Sequence, residues 1–355
     1  MRRAACFLLA GTALAAASGS VFAGGIDQAS LRGSTIYDPA APAYRAEVDP
    51  IGLRTTTAPD FASRPPPVEH KFEVEIGGRY WYSTGKLAKN LYDVPGGGQS
   101  LLSRLTYSGL SSNAGEGFAR VDIDNGFFIK GYAGLGNLGK GTLNDEDFPP
   151  GIDPYSSTLS DQRGGKLSYL TADLGYRIVN GPNYRVGAFV GYHYLAEQVN
   201  AYGCNQVATN PFVCVPTIDG SVLGISEDAK WNAARAGLAA DIGITNRLKL
   251  SVEAAWLPYV ALKAADTHWL RLGPGGFSGP IPESGTGTGA QFDASLSYCL
   301  TDALTVGVGA RYWHLESKGN ASFDLVVPGA LPQPINFTTD RFGAYLQGAY
   351  RFGVL

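Results

Sequence analysis

The sequence is poor in charged residues, and after its N-terminal segment it has no long hydrophobic run. Charged side chains make up 17% of the 355 residues, and there is a single methionine. A transmembrane helix needs about 20 predominantly apolar residues in a row, so a helical membrane protein is excluded. The chain is instead rich in glycine (47), tyrosine (19) and phenylalanine (16). This composition indicates β-strands.

The sequence also lacks a block of basic residues. It begins with Arg2 and Arg3, continues with an alanine-rich apolar run, and reaches the small residue Ala23 ahead of Gly24. This order is typical of a secretory signal peptide, which we predict over residues 1–23. Without its two arginines the chain has 26 basic and 31 acidic residues. Because nucleic-acid binding requires concentrated positive charge, we expect no nucleic-acid partner.

Cysteine is scarce as well. Of the four cysteines, Cys6 lies in the predicted signal peptide. Cys204 and Cys214 enclose a polar segment between two strand-like runs, and in an exported protein this spacing predicts a local disulfide. Cys299 alternates with apolar neighbours and is interpreted as an inert residue of a strand. Because the chain has neither CxxC spacing nor clustered histidines, we expect no metal site.

Two regions with different patterns follow the signal peptide. Residues 24–70 are proline-rich and lack periodicity, which predicts a flexible segment. From residue 71 onward apolar and polar residues alternate, as in "KFEVEIGGRYWY", and the same alternation recurs in 170–178, 248–256, 304–312 and 342–352. Period two indicates strands with one apolar and one charged face. A soluble barrel or sandwich and a membrane barrel both fit such strands.

The lengths of the links between strands favour a membrane barrel. Long links alternate with short turns such as "DIDNG", "VNGPN", "ITN" and "LTDA", and ten strands lie between them. Outer-membrane barrels have short periplasmic turns and long extracellular loops. The segment "SRLTYSGLSSNAGEGFARVDI" runs about 20 residues without a turn, far more than a soluble strand. We predict a ten-stranded antiparallel transmembrane β-barrel over residues 71–355, in contact with outer-membrane lipid and with its long loops extracellular.

Two acidic stretches fall on the extracellular side of this barrel. Asp145 and Asp147 follow the third predicted strand, and Asp266 and His268 follow the seventh, nearly opposite in a ring of ten. Residues two apart in an extended strand share a face. Asp266 can therefore orient His268 as a base, while the Asp pair holds a water or a shared proton. Either pair alone is more often solvated charge, but together they predict peptide hydrolysis.

Three segments resemble the omptin family of outer-membrane aspartyl proteases. They are "SRLTYSGLSSNAGEGFARVDIDNGFFIKGYAGLG", "GPNYRVGAFVGYHY" and "VEAAWLPYVALKAADTHW", and the resemblance covers most of residues 71–355. It implies an aspartic-type endopeptidase that cleaves a peptide or protein at the extracellular rim. The residues similar to the family's Asp pair and Asp-His pair are Asp145, Asp147, Asp266 and His268. An ungapped alignment leaves Asn144 and Glu146 open as the acid-pair positions.

The resemblance also bears on cofactors and on the competing function. It implies lipopolysaccharide as an activating lipid, with Lys230 at the position of a basic lipid contact, and no other cofactor. The alternative is a non-catalytic barrel, an adhesin or a structural protein on the same scaffold. A general porin is disfavoured because side chains fill the interior of a ten-stranded barrel, here including Glu73, Arg79, Asp173, Arg177, Lys249 and Arg311.

Overall fold

The computed structural model describes residues 72–93, 100–148 and 153–354. The predicted signal peptide and flexible segment, residues 1–23 and 24–70, lie outside the described residues. The described part contains two single-turn 3₁₀ helices, Trp269–Arg271 and Phe323–Leu325, and eleven strands. The strands are β1 (Phe72–Tyr92), β2 (Leu101–Ser108), β3 (Ser112–Ile123), β4 (Phe127–Asp147), β5 (Ser156–Asn180), β6 (Tyr184–Gln206), β7 (Ile218–Gly243), β8 (Leu248–His268), β9 (Ile281–Cys299), β10 (Leu304–Ala321) and β11 (Gln333–Val354). No helix among these residues is long and apolar enough to cross a membrane.

The strands form a closed antiparallel ring. β4 to β11 pair with their neighbours in chain order, and β11 pairs with β1, which closes the sheet. β2 and β3 together fill one position in the ring, because β1 and β4 each pair with both of them. The described strands therefore occupy ten positions. The predicted ten-stranded antiparallel barrel is confirmed.

The long second strand predicted from the sequence is interrupted at residues 109–111. Gly109 has a φ of +62°, a backbone conformation that favours glycine. The residue after it, Leu110, is fully buried, and its amide donates to the Gly85 carbonyl at 3.0 Å. On the other side, the Ser111 amide donates to the Lys140 carbonyl at 2.9 Å. The interruption thus turns Leu110 into the barrel while β1 and β4 hold the flanking backbone.

The two faces of the strands point as a lipid environment requires. Large apolar side chains are exposed on the outer face, among them Ile76, Tyr80, Leu174, Tyr176, Val252, Trp256, Leu346 and Tyr350. The charged residues between them face the interior and contact other groups there. Those contacts include Glu73–Arg351, Arg79–Glu116, Asp173–Lys130, Arg177 with the Ile123 carbonyl, Lys249–Asp241 and Arg311–Glu116. A soluble barrel would have the opposite arrangement.

Side chains fill the middle of the barrel. The Arg311 guanidinium lies 2.6 Å from a carboxylate oxygen of Glu116, and both side chains are at most 1% exposed. Two residues further along β10, Trp313 packs edge-to-face with Trp81 and Tyr169, with ring centroids 4.7 and 5.0 Å away. Such edge-to-face contacts add to the stabilisation from burial. The interior is therefore a packed core that supports the rim.

The links between strands differ at the two ends of the barrel. The short turns are 124–126, 181–183, 244–247 and 300–303, and the longer links are 93–100, 148–155, 207–217, 269–280 and 322–332. The predicted alternation is confirmed. The sequence pattern places these longer links at 85–100, 138–165, 200–225, 263–287 and 317–339. The links in the structure are shorter, because the strands continue past the apolar band. The predicted disulfide is present between Cys204 at the end of β6 and Cys214 in the next link, with Cα atoms 5.7 Å apart, and Cys299 is free.

Candidate active site

Asp145 and Asp147 lie at the end of β4, on the side of the longer links, and face the barrel interior. Asp145 is paired in register with Leu105, which is 5% exposed. Residues directly opposite in an antiparallel pair share a face. Glu146, between the two aspartates, faces outward and lies 3.1 Å from Arg104. Because inward and outward residues alternate along the strand, Asp145 and Asp147 point inward. The alternative pair, Asn144 and Glu146, occupies the outward positions.

Asp266 and His268 lie at the end of β8. His268 Nε2 is 3.1 Å from Asp266 Oδ2. The Asp266 side chain is 5% exposed and the His268 side chain 14%. Because an ionised carboxylate only accepts hydrogen bonds, Nε2 carries the proton, and in the neutral ring Nδ1 is free to accept one. The His268 ring packs against the Phe277 ring, with centroids 5.8 Å apart.

The four residues lie beyond the part of the barrel that faces lipid. On β4 the last exposed large apolar side chain is Leu135, and on β8 it is Tyr259. Asp145 and Asp266 come ten and seven residues later along their strands. At about 3.4 Å per residue, this separation exceeds 20 Å along either strand. The candidate site is therefore at the rim of the barrel.

The two pairs interact across the rim. Burial raises the pKa of Asp145 to about 6, the charge of Asp147 acts in the same direction, and His268 opposes it. Burial lowers the pKa of His268, but Asp266 and then Asp145 outweigh that effect, so the pKa is raised overall. β4 and β8 are separated in the ring by β5, β6 and β7, so this interaction depends on closure of the barrel.

A buried lysine shares Asp266 with His268. The ammonium of Lys89, on β1, lies 2.8 Å from Asp266 Oδ2, 2.8 Å from Glu227 Oε2 and 2.7 Å from Glu283 Oε1. The three acids come from the adjacent strands β7, β8 and β9. Their oxygens lie within 4.8 Å of one another, a spacing that could hold a metal ion. Lys89 places its own positive charge there.

Burial and nearby charges have opposite effects on the pKa of Asp266. Burial raises the pKa, but the positive charge of His268, followed by that of Lys89, outweighs it. The pKa of Asp266 is held well below its usual range. Asp266 is therefore ionised whenever His268 is in a state to act as a base.

The sequence analysis did not identify Glu227 and Glu283 as site residues, and it did not predict that Lys89 is buried among acids. Glu227 and Glu283 lie in "SEDAKW" and "IPESG", which look like solvated strand ends. A signal was present at Lys89, which occupies an inward position between Leu87 and Leu91. A charge buried at such a position requires a partner. Which acids provide it depends on the register of β7, β8 and β9.

Lys230 is not at the rim with the other predicted site residues. It is exposed on the outer wall of β7, while its neighbour Trp231 is fully buried in the interior. Its ammonium is 3.5 Å from Asp228, and its register partner on β8 is Lys263, also exposed. The position suits contact with a molecule outside the barrel.

The rim geometry is suited to activation of a water molecule. His268 is oriented through Nε2, which leaves Nδ1 to accept a proton. Across the rim, Asp145 has a pKa near 6, so it exchanges protons close to neutral pH. An oriented base opposite a carboxyl group that is able to donate or accept a proton is an arrangement for general acid–base chemistry.

Neither a protein-family model nor a curated protein matches this sequence. Among solved structures, the outer membrane protease OmpT from Escherichia coli is similar with a TM-score of 0.65 and 16% identity, over 79% of this chain and 97% of that chain. The outer membrane protein OprG from Pseudomonas aeruginosa has a TM-score of 0.35 and 9% identity, over 81% and 98% of the two chains. Ail of Yersinia pestis has a TM-score of 0.27 and 11% identity, over 80% and 100%; these two similarities are too low to carry an argument. At 16% identity the similarity to OmpT concerns the fold alone: the chain has the fold of an outer-membrane β-barrel.

Proposed function

We propose that this protein is an outer-membrane endopeptidase of the omptin type, with its active site on the extracellular side and a peptide or protein as substrate. His268 is the general base, Asp266 orients it, and Asp145 and Asp147 hold the water. The observation that carries the proposal is the base that Asp266 orients, with His268 Nε2 3.1 Å from Asp266 Oδ2. The charges of His268 and Asp145 also shift the pKa of each other across the rim. Nearness of an oriented base to a second acidic pair is what water activation requires.

The proposed reaction needs no covalent intermediate. Nδ1 of His268 takes a proton from the water as its oxygen adds to the peptide carbonyl carbon. The carbonyl electrons move to oxygen, and Asp145, protonated part of the time near neutral pH, donates a hydrogen bond to that oxyanion. The intermediate collapses, the carbon–nitrogen bond breaks, and the protonated His268 returns the proton to the leaving amine.

The proposal extends to lipopolysaccharide as an activating lipid. Lys230 and Lys263 face outward as register partners, and like charges directly opposite on a sheet are unfavourable. Asp228, 3.5 Å from Lys230, offsets one of the two charges. A lipid phosphate would supply a further anion at the outer wall. We assign Lys230 to this contact, which lies on the outer wall rather than at the rim.

The peptidase assignment is tested by replacing His268. We expect His268→Ala to lower kcat/KM of the purified, folded barrel on a peptide library by at least about 100-fold, because the general base is lost. The matched control is His314→Ala. His314 also contacts an aspartate, with Nδ1 2.8 Å from Asp340 Oδ1, but it lies on the outer wall. That variant should retain activity within about twofold of wild type.

The assay is run with and without added lipopolysaccharide. A gain in activity on lipid addition, reduced in Lys230→Ala, supports the lipid contact. If wild type and His268→Ala have the same background rate in both conditions, the endopeptidase is rejected. The non-catalytic barrel, an adhesin or structural protein, is then the remaining interpretation.

A further inference from the structure

Three buried carboxylates surround the ammonium of Lys89 at one height in the barrel. Glu227, Asp266 and Glu283 are 1%, 3% and 4% exposed, and Lys89 is 4% exposed. A lysine ammonium has three N–H donors and no acceptor. The three contacts at 2.7–2.8 Å use all of them. The cluster is therefore shaped for a primary ammonium group.

Each of these carboxylates has a second oxygen that Lys89 does not reach. Glu227 Oε1, Asp266 Oδ1 and Glu283 Oε2 are buried and have no hydrogen-bond partner among the described residues. Buried acceptors without partners are costly. The three acids thus offer buried oxygens that one lysine does not use, and these oxygens would remain if Lys89 were replaced.

The pocket adjoins the base of the candidate active site. Lys89 Nζ and His268 Nε2 both lie within hydrogen-bond distance of Asp266 Oδ2, at 2.8 and 3.1 Å. The two nitrogens are therefore no more than about 6 Å apart. A substrate side chain next to a peptide bond held at His268 would reach this pocket if the lysine were absent.

We propose that Glu227, Asp266 and Glu283 form a pocket for a primary ammonium group, which Lys89 fills from within the chain. By filling it, Lys89 excludes lysine and arginine side chains of a substrate from the position beside His268. Neutral side chains are preferred there. The last two statements rest on the proposed endopeptidase function, whereas the ammonium pocket does not.

The charge balance of the pocket agrees with this assignment. Burial raises the pKa of Glu283 to about 7, with Lys89 opposing and Asp266 adding to the shift. Burial, and then the charge of Glu283, raises the pKa of Glu227 as well. With Lys89 present, the raised pKa values of Glu227 and Glu283 favour their neutral forms, so the pocket has little charge left for a second cation. Without Lys89, a positively charged guest would relieve the repulsion among them.

The pocket is tested without reference to catalysis, with two variants. Lys89→Ala removes the side chain and leaves space, whereas Lys89→Met keeps the volume filled and removes only the charge. Urea unfolding of each folded barrel in detergent is measured with n-butylammonium chloride. Equal concentrations of sodium chloride and of n-butanol control for ionic strength and for the butyl group.

We expect n-butylammonium to raise the urea midpoint of Lys89→Ala and to restore at least about half of the loss caused by the substitution. Wild type and Lys89→Met should not respond, because their pockets are full. If Lys89→Ala folds only when n-butylammonium is present during refolding, the pocket is supported. If it folds in neither condition, the double variant Lys89→Ala/Glu227→Gln, with one acid fewer, is tested for the same shift.

Two results would overturn the pocket. One is an unchanged midpoint of folded Lys89→Ala, or of the double variant, in n-butylammonium. The other is an equal shift in Lys89→Ala and Lys89→Met, which would mean that the ion acts elsewhere.

The effect on specificity is measured with paired peptides. The two peptides differ at one position beside the cleaved bond, which holds lysine in one and the uncharged norleucine in the other. We expect wild type to cleave the norleucine peptide at least about 10-fold better in kcat/KM, and Lys89→Ala to lose or reverse that preference through KM. A wild-type preference for lysine would contradict the exclusion.

The urea experiment and the peptide experiment distinguish failure of the pocket from failure of the endopeptidase proposal. If no peptide is cleaved by any variant, the endopeptidase proposal fails, and the urea experiment still decides the pocket. If peptides are cleaved but n-butylammonium has no effect on Lys89→Ala, the pocket fails and the endopeptidase stands.

Discussion

Asp145 combines a place in the proposed chemistry with an unfavourable setting. Its pKa is raised to about 6 by burial and by Asp147, against an ordinary value near 3.9. The folded protein therefore binds this proton more tightly than the unfolded chain does. Stability falls as pH rises between these two values, and above about pH 6 the ionised carboxylate is a constant cost. The carboxyl group of Asp145 therefore lowers the stability of the folded protein at neutral pH.

Asp145→Asn should therefore stabilise the barrel at neutral pH. The amide keeps the shape of the side chain and removes a half-buried charge, so we expect the free energy of unfolding to rise by about 1–2 kcal/mol at about pH 8. At about pH 4 most of the gain should vanish, because the group is then protonated in the folded state and about half protonated in the unfolded chain. Urea titration of the folded barrel at the two pH values measures the difference.

The neighbouring acid provides the control for Asp145→Asn. Glu146 faces outward and pairs with Arg104, whose side chain is 41% exposed. Exposed ion pairs contribute little to stability, so Glu146→Gln should change it by less than about 1 kcal/mol and in the opposite direction. Equal stabilisation by both substitutions would contradict a specific cost at Asp145.

At the scale of single residues, local spacing predicted one half of the site and long-range register decided the other. Asp266 and His268 are two apart in a strand, so their contact at 3.1 Å follows from the period of the strand alone. The cluster of Lys89 with Glu227 and Glu283 could not be predicted in this way. It joins β1 to β7 and β9 across the interior, and the sequence of a single strand does not show which residues of other strands lie near it.

At the scale of elements, alternation predicted where strands exist better than where they end. The predicted links 138–165 and 263–287 contain the rim ends of β4, β5, β8 and β9. Beyond the apolar band the outer face becomes polar, so hydrophobic alternation fades although backbone pairing continues. This explains why the aspartates at the end of β4 were expected in a loop. They lie instead on ordered strand, which fixes the direction of their side chains.

The link 207–217 offers a test of how one connecting element is held. The disulfide joins positions ten residues apart, and Phe212 between them is 81% exposed. We expect Cys204→Ser/Cys214→Ser to raise the rate of chymotrypsin cleavage after Phe212 by about 10-fold or more, because the open link adopts the extended form that a protease binds. Gel analysis of timed digests measures this rate.

The barrel itself should survive this cleavage. β6 and β7 remain paired from Tyr184↔Ile242 to Ala201↔Ile225, so the two fragments should stay associated in one folded barrel. Cleavage at Trp269, which is 47% exposed in a different link, is the internal control and should not accelerate. A parallel rise at both sites, or loss of the folded form, would mean that the disulfide supports the whole rim.

At the scale of the whole molecule, the outward apolar face and the inward charges are one arrangement. Alternation alone fits a soluble or a membrane barrel, and the link lengths favoured the membrane. The structure agrees, with Leu174 51% and Leu346 62% exposed on the wall while Arg311 is 3% exposed inside. The inward charges then bring distant strands together at the rim. The arrangement that suits lipid, with apolar side chains outside and charged side chains inside, therefore also brings the residues of the proposed site together.

Lipid contact at the wall is tested by placing a charge there. Leu174 lies on β5 between Leu170 and Ile178 and points outward, as these two do. An arginine near the bilayer midplane of a barrel costs about 2–4 kcal/mol, so Leu174→Arg should lower the free energy of unfolding in lipid vesicles by that amount. The matched control is Leu331→Arg, at a position that is 60% exposed in the link 322–332. We expect that variant to fold within about 0.5 kcal/mol of wild type. Equal, small effects at the two positions would mean that the outer wall is in contact with water. The placement of the proposed site on the extracellular side of a membrane would then be rejected.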